Sequence, residues 1–564
     1  MARSITKIII FSVFLMAVMD TRLFVYPSLS HSLLSGLMIT ALGIFVFQHI
    51  QRNQANLTFS KGHGIVLLWM GYIFISQYFI PSETYRFYYI LISLLFSLII
   101  SFLLRYQLLK WDYIENVILL FAVIHIFTIQ IQLTGYFTHR FYVISGFSDN
   151  PSITAIYLTC SIVVVLQRIV RCKWFYGMFL VLIIAAILVL KCRTAYLGVI
   201  IISVIYLFSN YYISGNRKLL LSCIGITCTF LLFAIGMYYF KQSSSDGRLL
   251  IWKISCQMVK DNPWGYGYGM FEKYYNLYQA VYFSKGNATS QEKYVADHVF
   301  MPYNDYLEQA IEGGTIGLFL YLSFFAFMIM VAYRKQDIGV MTIAVVILLM
   351  SMLNFVYTAV PVWLLVMCVA GKVFMPEKED LESRFPHLMP LAAISVSVLL
   401  CFRELKVINA QIQLAEWHEL INQGKIIQDR RFEEVKDRIE TSERFYIDRG
   451  KNCMRAELYQ EAIASLTIAQ EYTSTPQLYL LLHQCYQQME QVSKGLNCLK
   501  TMENMQPHRF LPKILLMRGY NEERNNKRAM DYARKIVQMP AKVESAKVEE
   551  YKNEANNYIQ LHEE

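Results

Sequence analysis

Through the first 403 residues the chain alternates long apolar runs with short polar breaks, and beyond that point it changes to amphipathic runs of helical period. The apolar runs are about 17 to 22 residues long, enough to cross roughly 30 Å of hydrocarbon at about 1.5 Å per helical residue. Helix is the form such a run takes in lipid, because its backbone polar groups are then satisfied within the segment. Spans are expected near 5–25, 32–50, 63–80, 86–104, 114–134, 152–170, 174–190, 195–213, 218–239, 314–333, 338–355, 360–376 and 387–403. The expected fold class is all-α: a polytopic membrane helix bundle of about 12–13 spans over residues 1–403, followed by a soluble helical domain over 404–564.

Charge orients this bundle. With a cytoplasmic N-terminus, alternate loops carry Arg52 and Lys61, Arg105 and Lys110, Arg168 with Arg171 and Lys173, Arg217 and Lys218, Arg334 and Lys335, and Lys372 and Lys378. Each is basic, as cytoplasmic loops are. Arg3 and Lys7 precede the first run, which lacks a small-x-small cleavage site and is read as a retained helix. The opposite loops are short, yet they hold Arg86, Arg140, Arg193 and Arg248 against the charge bias. One of them, about 241–313, is long, and loops of that length are usually functional.

An odd number of spans puts residues 404–564 on the outer face as well. There Pro476, Pro507 and Pro540 recur at intervals of 31 and 33, and Tyr486 and Tyr520 stand 34 apart. A first unit shows the same apolar face through Leu458, Tyr459, Ala462, Ile463 and Leu466. The period resembles that of tetratricopeptide repeats. Such stacks offer concave surfaces to protein partners and rarely carry catalysis. Removing residues 410–564 is therefore expected to alter acceptor choice or partner binding more than the chemistry.

Composition agrees with a bilayer: 55% of residues are hydrophobic, 15% aromatic and only 17% charged. The net charge of +10 is largely that of the cytoplasmic loops, so no nucleic-acid partner is implied. The eleven cysteines are scattered, with no C-x-x-C pair and no histidine at metal spacing. They read as small core hydrophobes, and neither metal nor cofactor is expected.

Four segments at outer helix ends hold the candidate chemistry. Arg140 to Pro151 reads RFYVISGFSDNP, in which Asn150-Pro151 suits a helix start but Arg140 is left over. Lys191 to Ala195 is a cationic break between two apolar spans. Gly247 to Trp252 is followed by Asp261 to Gly269, with glycines two apart. No strand precedes those glycines and no G-K-[ST] follows, which excludes a nucleotide loop; they allow close backbone approach instead. The last segment, Asp297-His298 through Tyr303-Asn304 to Glu308, combines an imidazole with carboxylates and phenols.

Arginine's planar fork matches phosphate oxygens in two-point contact and stays charged when partly desolvated. Several arginines at one interface suit a pyrophosphate head group whose hydrocarbon tail stays in the bilayer. When a sugar leaves such a carrier, negative charge grows on the pyrophosphate and fixed cations stabilise it. The acceptor hydroxyl meanwhile needs a base. Trp264, Tyr266 and Tyr268, in an aromatic loop, and Asn304 are candidate glycan contacts, since a flat ring with a polar handle suits sugars.

The ordered series Gly146, Asn150-Pro151, Arg193 after an apolar span, Arg248 four residues before Trp252, Asn262-Pro263 with Gly265 and Gly267, and Tyr303-Asn304-x-x-Leu307 with Gly313-Gly314 and Gly317-Leu318 resembles the bacterial O-antigen ligase superfamily. That superfamily includes O-antigen polymerases and O-linked protein oligosaccharyltransferases. The resemblance covers roughly residues 30–376. It implies a GT-C-like transferase of the inner membrane that moves a glycan from undecaprenyl pyrophosphate to lipid A core or a protein hydroxyl on the periplasmic face. Nucleotide sugar and metal play no part in that chemistry. The pyrophosphate-binding role of the family's arginines carries to Arg193 and Arg248, and by position to Arg140 and Arg86. In O-antigen ligases a histidine stands immediately before the motif asparagine and serves the acceptor step; here that place is Tyr303. A tyrosine hydroxyl, with an ordinary pKa of about 10, is a poor base at neutral pH. His298, Asp297 and Glu308 therefore stand beside Tyr303 as candidate catalytic residues. A polymerase joining lipid-linked repeats is the alternative within the family. A transporter would concentrate charge at the membrane midplane, and a non-catalytic scaffold would leave the four outer arginines unexplained.

Overall fold

The computed structural model describes residues 2–18, 27–51, 56–80, 84–137, 143–148, 150–214, 225, 242–377, 381–384, 388–436, 438 and 443–563. Helices stand where apolar runs predict them: α1 (Ala2–Val18), α2 (Pro27–Gln51), α3 (Lys61–Phe79), α4 (Thr84–Arg105), α5 (Trp111–Phe137), α6 (Pro151–Arg168), α7 (Lys173–Leu190) and α8 (Arg193–Ser214). Apart from residue 225, the span expected at 218–239 lies outside the described residues, and so does Arg140. Between Lys241 and Pro302 lie α9 (Gln242–Asp261), α10 (Phe271–Ser284) and α11 (Ser290–Val295). There follow α12 (Asp305–Glu312), α13 (Gly314–Arg334), α14 (Ile338–Ser351), α15 (Val360–Val373) and α16 (Leu388–Asn422). The fold is that of an all-α polytopic bundle. Among the described residues it departs from pure helix in a short antiparallel ribbon, β1 (Asn56–Phe59) against β2 (Leu381–Arg384), with Phe59 opposite Leu381.

Among the described residues five helices are long and apolar enough to cross a membrane, within α4, α5, α6, α7 and α13, and shorter apolar helices accompany them. On α7 the side chains of Met178, Val181 and Leu188 lie exposed. An outward apolar face of this kind is what lipid solvates and water does not.

The chain forms two compact units: residues 1–240 with 303–412, and residues 241–302 with 413–564. The first is built around α15, which packs on α1, α4, α6, α13 and α14. All of α15 but Lys372 is buried. Trp363 anchors it, donating its indole N–H to Ser93 Oγ at 3.0 Å while its ring stacks on Tyr321 at 6.4 Å. Local sequence starts and stops these helices. Asn150 caps α6, its side chain accepting from the Ser152 amide at 2.8 Å, and Pro151 supplies the preset first turn. Lys191 closes α7 with a left-handed φ of 50°, which turns the chain so that α8 begins at Arg193.

The second unit joins α9, α10 and α11 to the C-terminal helices: α17 (Asp429–Lys436), α18 (Glu443–Arg455), α19 (Tyr459–Ala469), α20 (Pro476–Gln488), α21 (Val492–Met505), α22 (Phe510–Glu522), α23 (Asn526–Gln538) and α24 (Ala546–Glu563). From α18 to α24 each helix packs on the next. Buried residues at helical spacing make their core, among them Leu496, Leu499, Met502, Ile514, Met517, Ala533 and Ile536. Helix α10 packs on α21, so Ala280 joins this core and Leu277 packs against it. Burial of one aliphatic side chain contributes about 1.5–3 kcal/mol, so this contact is a substantial part of the unit.

Candidate functional site

In the second unit, α9 leads into a turn built by glycine. Gly265, Gly267 and Gly269 have φ values of 94°, 100° and 85°, a region that side chains disfavour. Asn262 braces the turn: its side-chain amide donates to Gly265 O at 2.6 Å and its side-chain oxygen accepts from the Trp264 amide at 3.3 Å. The three expected ring contacts separate here. Trp264 is 68% exposed, whereas Tyr266 and Tyr268 are buried, the former with its hydroxyl 2.8 Å from that of Tyr278.

Two amide side chains of α10 then fix the stretch that bears His298. Asn276 donates to Val299 O at 3.0 Å and accepts from Val299 N at 3.1 Å. Gln279 donates to Asp297 O at 2.8 Å and to Met505 O at 2.7 Å. Between these clamps the His298 imidazole is turned toward Glu272, with Nε2 2.6 Å from Oε1, while its ring meets Phe300 edge-on at 4.4 Å. The other Glu272 oxygen accepts from Thr473 Oγ1 at 2.7 Å. Trp252 on α9 donates to Pro302 O at 3.0 Å, closing the far end of the stretch.

Asp297 faces the C-terminal helices. It accepts from the Gln506 side chain and from Arg509 at 3.2 Å, with His508 at 3.8 Å. Burial alone would raise its carboxyl, but the His298 amide, Arg509, His508 and Gln506 hold it below the ordinary value.

The first unit carries the rest. Tyr303 adopts φ 53° just before α12, and its ring meets Phe355 at 5.8 Å. Asn304 caps α12, its side-chain oxygen accepting from Tyr306 N at 3.0 Å and Leu307 N at 3.1 Å, so that oxygen is already engaged. Helical spacing puts Asp305, Glu308, Gln309 and Glu312 on one buried face. Arg86 on α4 reaches Glu308 at 3.1 Å and Glu312 at 3.4 Å. Asp305 Oδ2 accepts from the Val356 and Tyr357 amides at 3.1 and 3.0 Å. Burial pushes the carboxyls of Asp305 and Glu308 up; Glu308 adds to the shift at Asp305, and Arg86 opposes it at Glu308. Arg193 opens α8, half-buried, next to Thr194, whose hydroxyl accepts from Asn354 at 3.0 Å. Arg248 is half-buried on α9.

The structure thus groups the expected residues in two sets. Asp297, His298, Trp264, Tyr266, Tyr268 and Arg248 belong to the second unit, and Tyr303, Asn304, Glu308, Arg86 and Arg193 to the first. Sequence reading missed Glu272 and Thr473. They stand 26 and 175 residues from His298, and neither lies in a motif. Among the described residues no group of three His, Cys, Asp or Glu side chains is arranged to hold a metal ion.

No curated protein matches the chain. Residues 153–322, which include Arg193, Arg248, Glu272, His298 and Asn304, match the family model described as O-antigen ligase.

Proposed function

We propose that this multi-pass membrane protein transfers a glycan from undecaprenyl pyrophosphate to a hydroxyl of a macromolecular acceptor, lipid A core or protein, on the periplasmic face of the inner membrane. The family match supports the coarser statement, a membrane glycosyltransferase of the ligase or polymerase type. The observation that carries the finer reading is the His298–Glu272 pair at 2.6 Å. A base oriented by a carboxylate is the usual arrangement for activating a hydroxyl. Because a carboxylate only accepts, the imidazole donates through Nε2 and keeps its Nδ1 lone pair for the acceptor proton. The acceptor oxygen then bonds to the sugar carbon as the sugar–phosphate bond breaks, and the electron pair leaves on the pyrophosphate.

Arg193 and Arg248 are assigned to the pyrophosphate, where they stabilise charge that grows in the transition state. The charge of Arg86 is balanced by Glu308 and Glu312, so we assign it to holding α12 on α4. Trp264, the exposed ring of the glycine turn, is the glycan platform in this reading. We read the C-terminal helices as a tetratricopeptide-like array on the outer face, a reading that favours a macromolecular acceptor over polymerisation.

Deleting the gene and comparing glycans on lipopolysaccharide and on envelope proteins tests this. Loss from lipid A core alone means a ligase, loss from proteins alone an oligosaccharyltransferase, and single-repeat caps a polymerase. No change in either glycan overturns the proposal.

A further inference from the structure

Glu272 does not stand alone beside His298. Its second oxygen is held by Thr473, from the segment between α19 and α20, and Thr473 is 3% exposed. The neighbouring residue is gripped by the same segment: Lys273 donates to Glu471 O at 2.6 Å, and Lys273 O accepts from Ser474 Oγ at 2.5 Å. Ser474 is 2% exposed. Three residues of one C-terminal segment therefore fix two consecutive residues of α10, and one of these orients the imidazole. With one oxygen held by Thr473, the Glu272 carboxylate presents its other oxygen to His298, which selects the tautomer and direction of the imidazole bonded to it.

We infer that Glu272 and Thr473 are positioning residues for His298, so that the C-terminal helical array completes the acid–base apparatus of the transferase as well as presenting a surface to partners. The inference rests on the reading of His298 as the base. Thr473 donates its hydroxyl hydrogen to Glu272 Oε2, Glu272 Oε1 accepts Nε2–H, and Nδ1 is left to take the proton. Thr473 and Glu272 touch no substrate and act through the imidazole. The arrangement also gives the chain a reason to carry a helical array in the same compact unit as residues 241–302.

The test uses full-length protein in membranes, with the cell's own undecaprenyl-pyrophosphate-linked glycan as donor and the acceptor whose glycan is lost on gene deletion. Glu272→Gln should lower kcat by about tenfold or more, and Thr473→Val by several-fold, each leaving the KM for donor unchanged. Thr473→Ser keeps the hydroxyl and should restore turnover. Limited proteolysis of residues 262–302 should match wild type in all three. Unchanged kcat in Glu272→Gln overturns the inference. So does a loss accompanied by a changed KM or a changed cleavage pattern, which is the mark of a merely structural role, or failure of serine to restore what valine removes. His298→Ala separates the two levels: if it retains full turnover, the base reading itself fails, whereas a dead His298→Ala beside a fully active Glu272→Gln defeats only the positioning role.

Discussion

Asp297 and Arg509, 212 residues apart, meet carboxylate to guanidinium at 3.2 Å. Gln506 donates to the same carboxylate and Gln279 bridges Asp297 O and Met505 O, so the pair sits at the centre of a polar seam between α10 and the end of α21. Both side chains are about half exposed, and the ion pair alone contributes on the order of 1 kcal/mol or less. Asp297→Ala should therefore cost only about 1–2 kcal/mol, most of it from the Gln506 hydrogen bond. Hydrogen exchange of peptides covering 294–302 and 505–511 checks this; protection lost across the whole unit would mean that the seam matters far more than its exposure implies.

His508 makes the same seam pH-sensitive. Burial, Lys542 and Arg509 push its imidazole down to about 4, with Asp297 opposing, against an ordinary value of about 6.5. The folded chain holds His508 neutral, so between those values the unfolded chain binds a proton that the folded one does not. The stability that neutral His508 contributes to this unit is fully present above about pH 6.5 and is lost as pH falls toward 4. Asp297, also lowered, extends the loss further into acid. His508→Gln should flatten the part between pH 6.5 and 4, read as melting temperature against pH in detergent.

On the other unit, Arg86 is the cation that compensates buried Glu308 and Glu312, whose side chains are 0% exposed. Removing one partner of a buried pair costs about 3–5 kcal/mol because a charge is stranded. Arg86 is itself 21% exposed, which puts Arg86→Met near the lower end of that range. Adding Glu308→Gln should recover part of the loss, since the stranded charge is then gone. Melting temperatures of the single and double variants decide the matter, and a double variant no better than the single would show that the pair is not the source of the cost.

How much of this was legible in the sequence follows from the range of each interaction. Helix positions were legible because a bilayer imposes one length and one composition on every span, and Asn150-Pro151 marked the start of α6 by local chemistry alone. The ribbon of Asn56–Phe59 with Leu381–Arg384 was not, since strands of four residues separated by more than 300 carry no local signature. At the candidate site, His298 and Asp297 stood out by type, but their partners are set by tertiary packing. Glu272 looks like any acidic residue in the first turn of a helix, and Thr473 like any loop threonine. Asn304 shows the reverse case, a motif residue whose side-chain oxygen serves a helix cap.

Arg193 and Arg248 carry the pyrophosphate assignment. Alanine at either position should abolish transfer while leaving membrane insertion intact. Lysine should recover only part of the activity, because an ammonium keeps the charge but loses the two-point fork. Glycan blots beside protein blots of the same membranes provide the measurement. Near-normal transfer in both alanine variants would remove the clamp.

Truncation at residue 412 puts the two views of the C-terminal helices against each other. A separate partner-binding array would leave chemistry intact on removal, as the repeat pattern by itself suggests. Packing argues otherwise. Without residues 413–564, Ala280 and Leu277 lose the core they pack in, Gln279 loses Met505 O, Lys273 loses Glu471 and Ser474, and Glu272 loses Thr473. A helix of 14 residues cannot hold its place on intrinsic propensity alone. The truncated protein should insert normally yet fail to transfer glycan to any acceptor, and residues 262–302 should become protease-sensitive. Retained turnover with an altered choice of acceptor would restore the array to the role of a partner surface and detach it from His298.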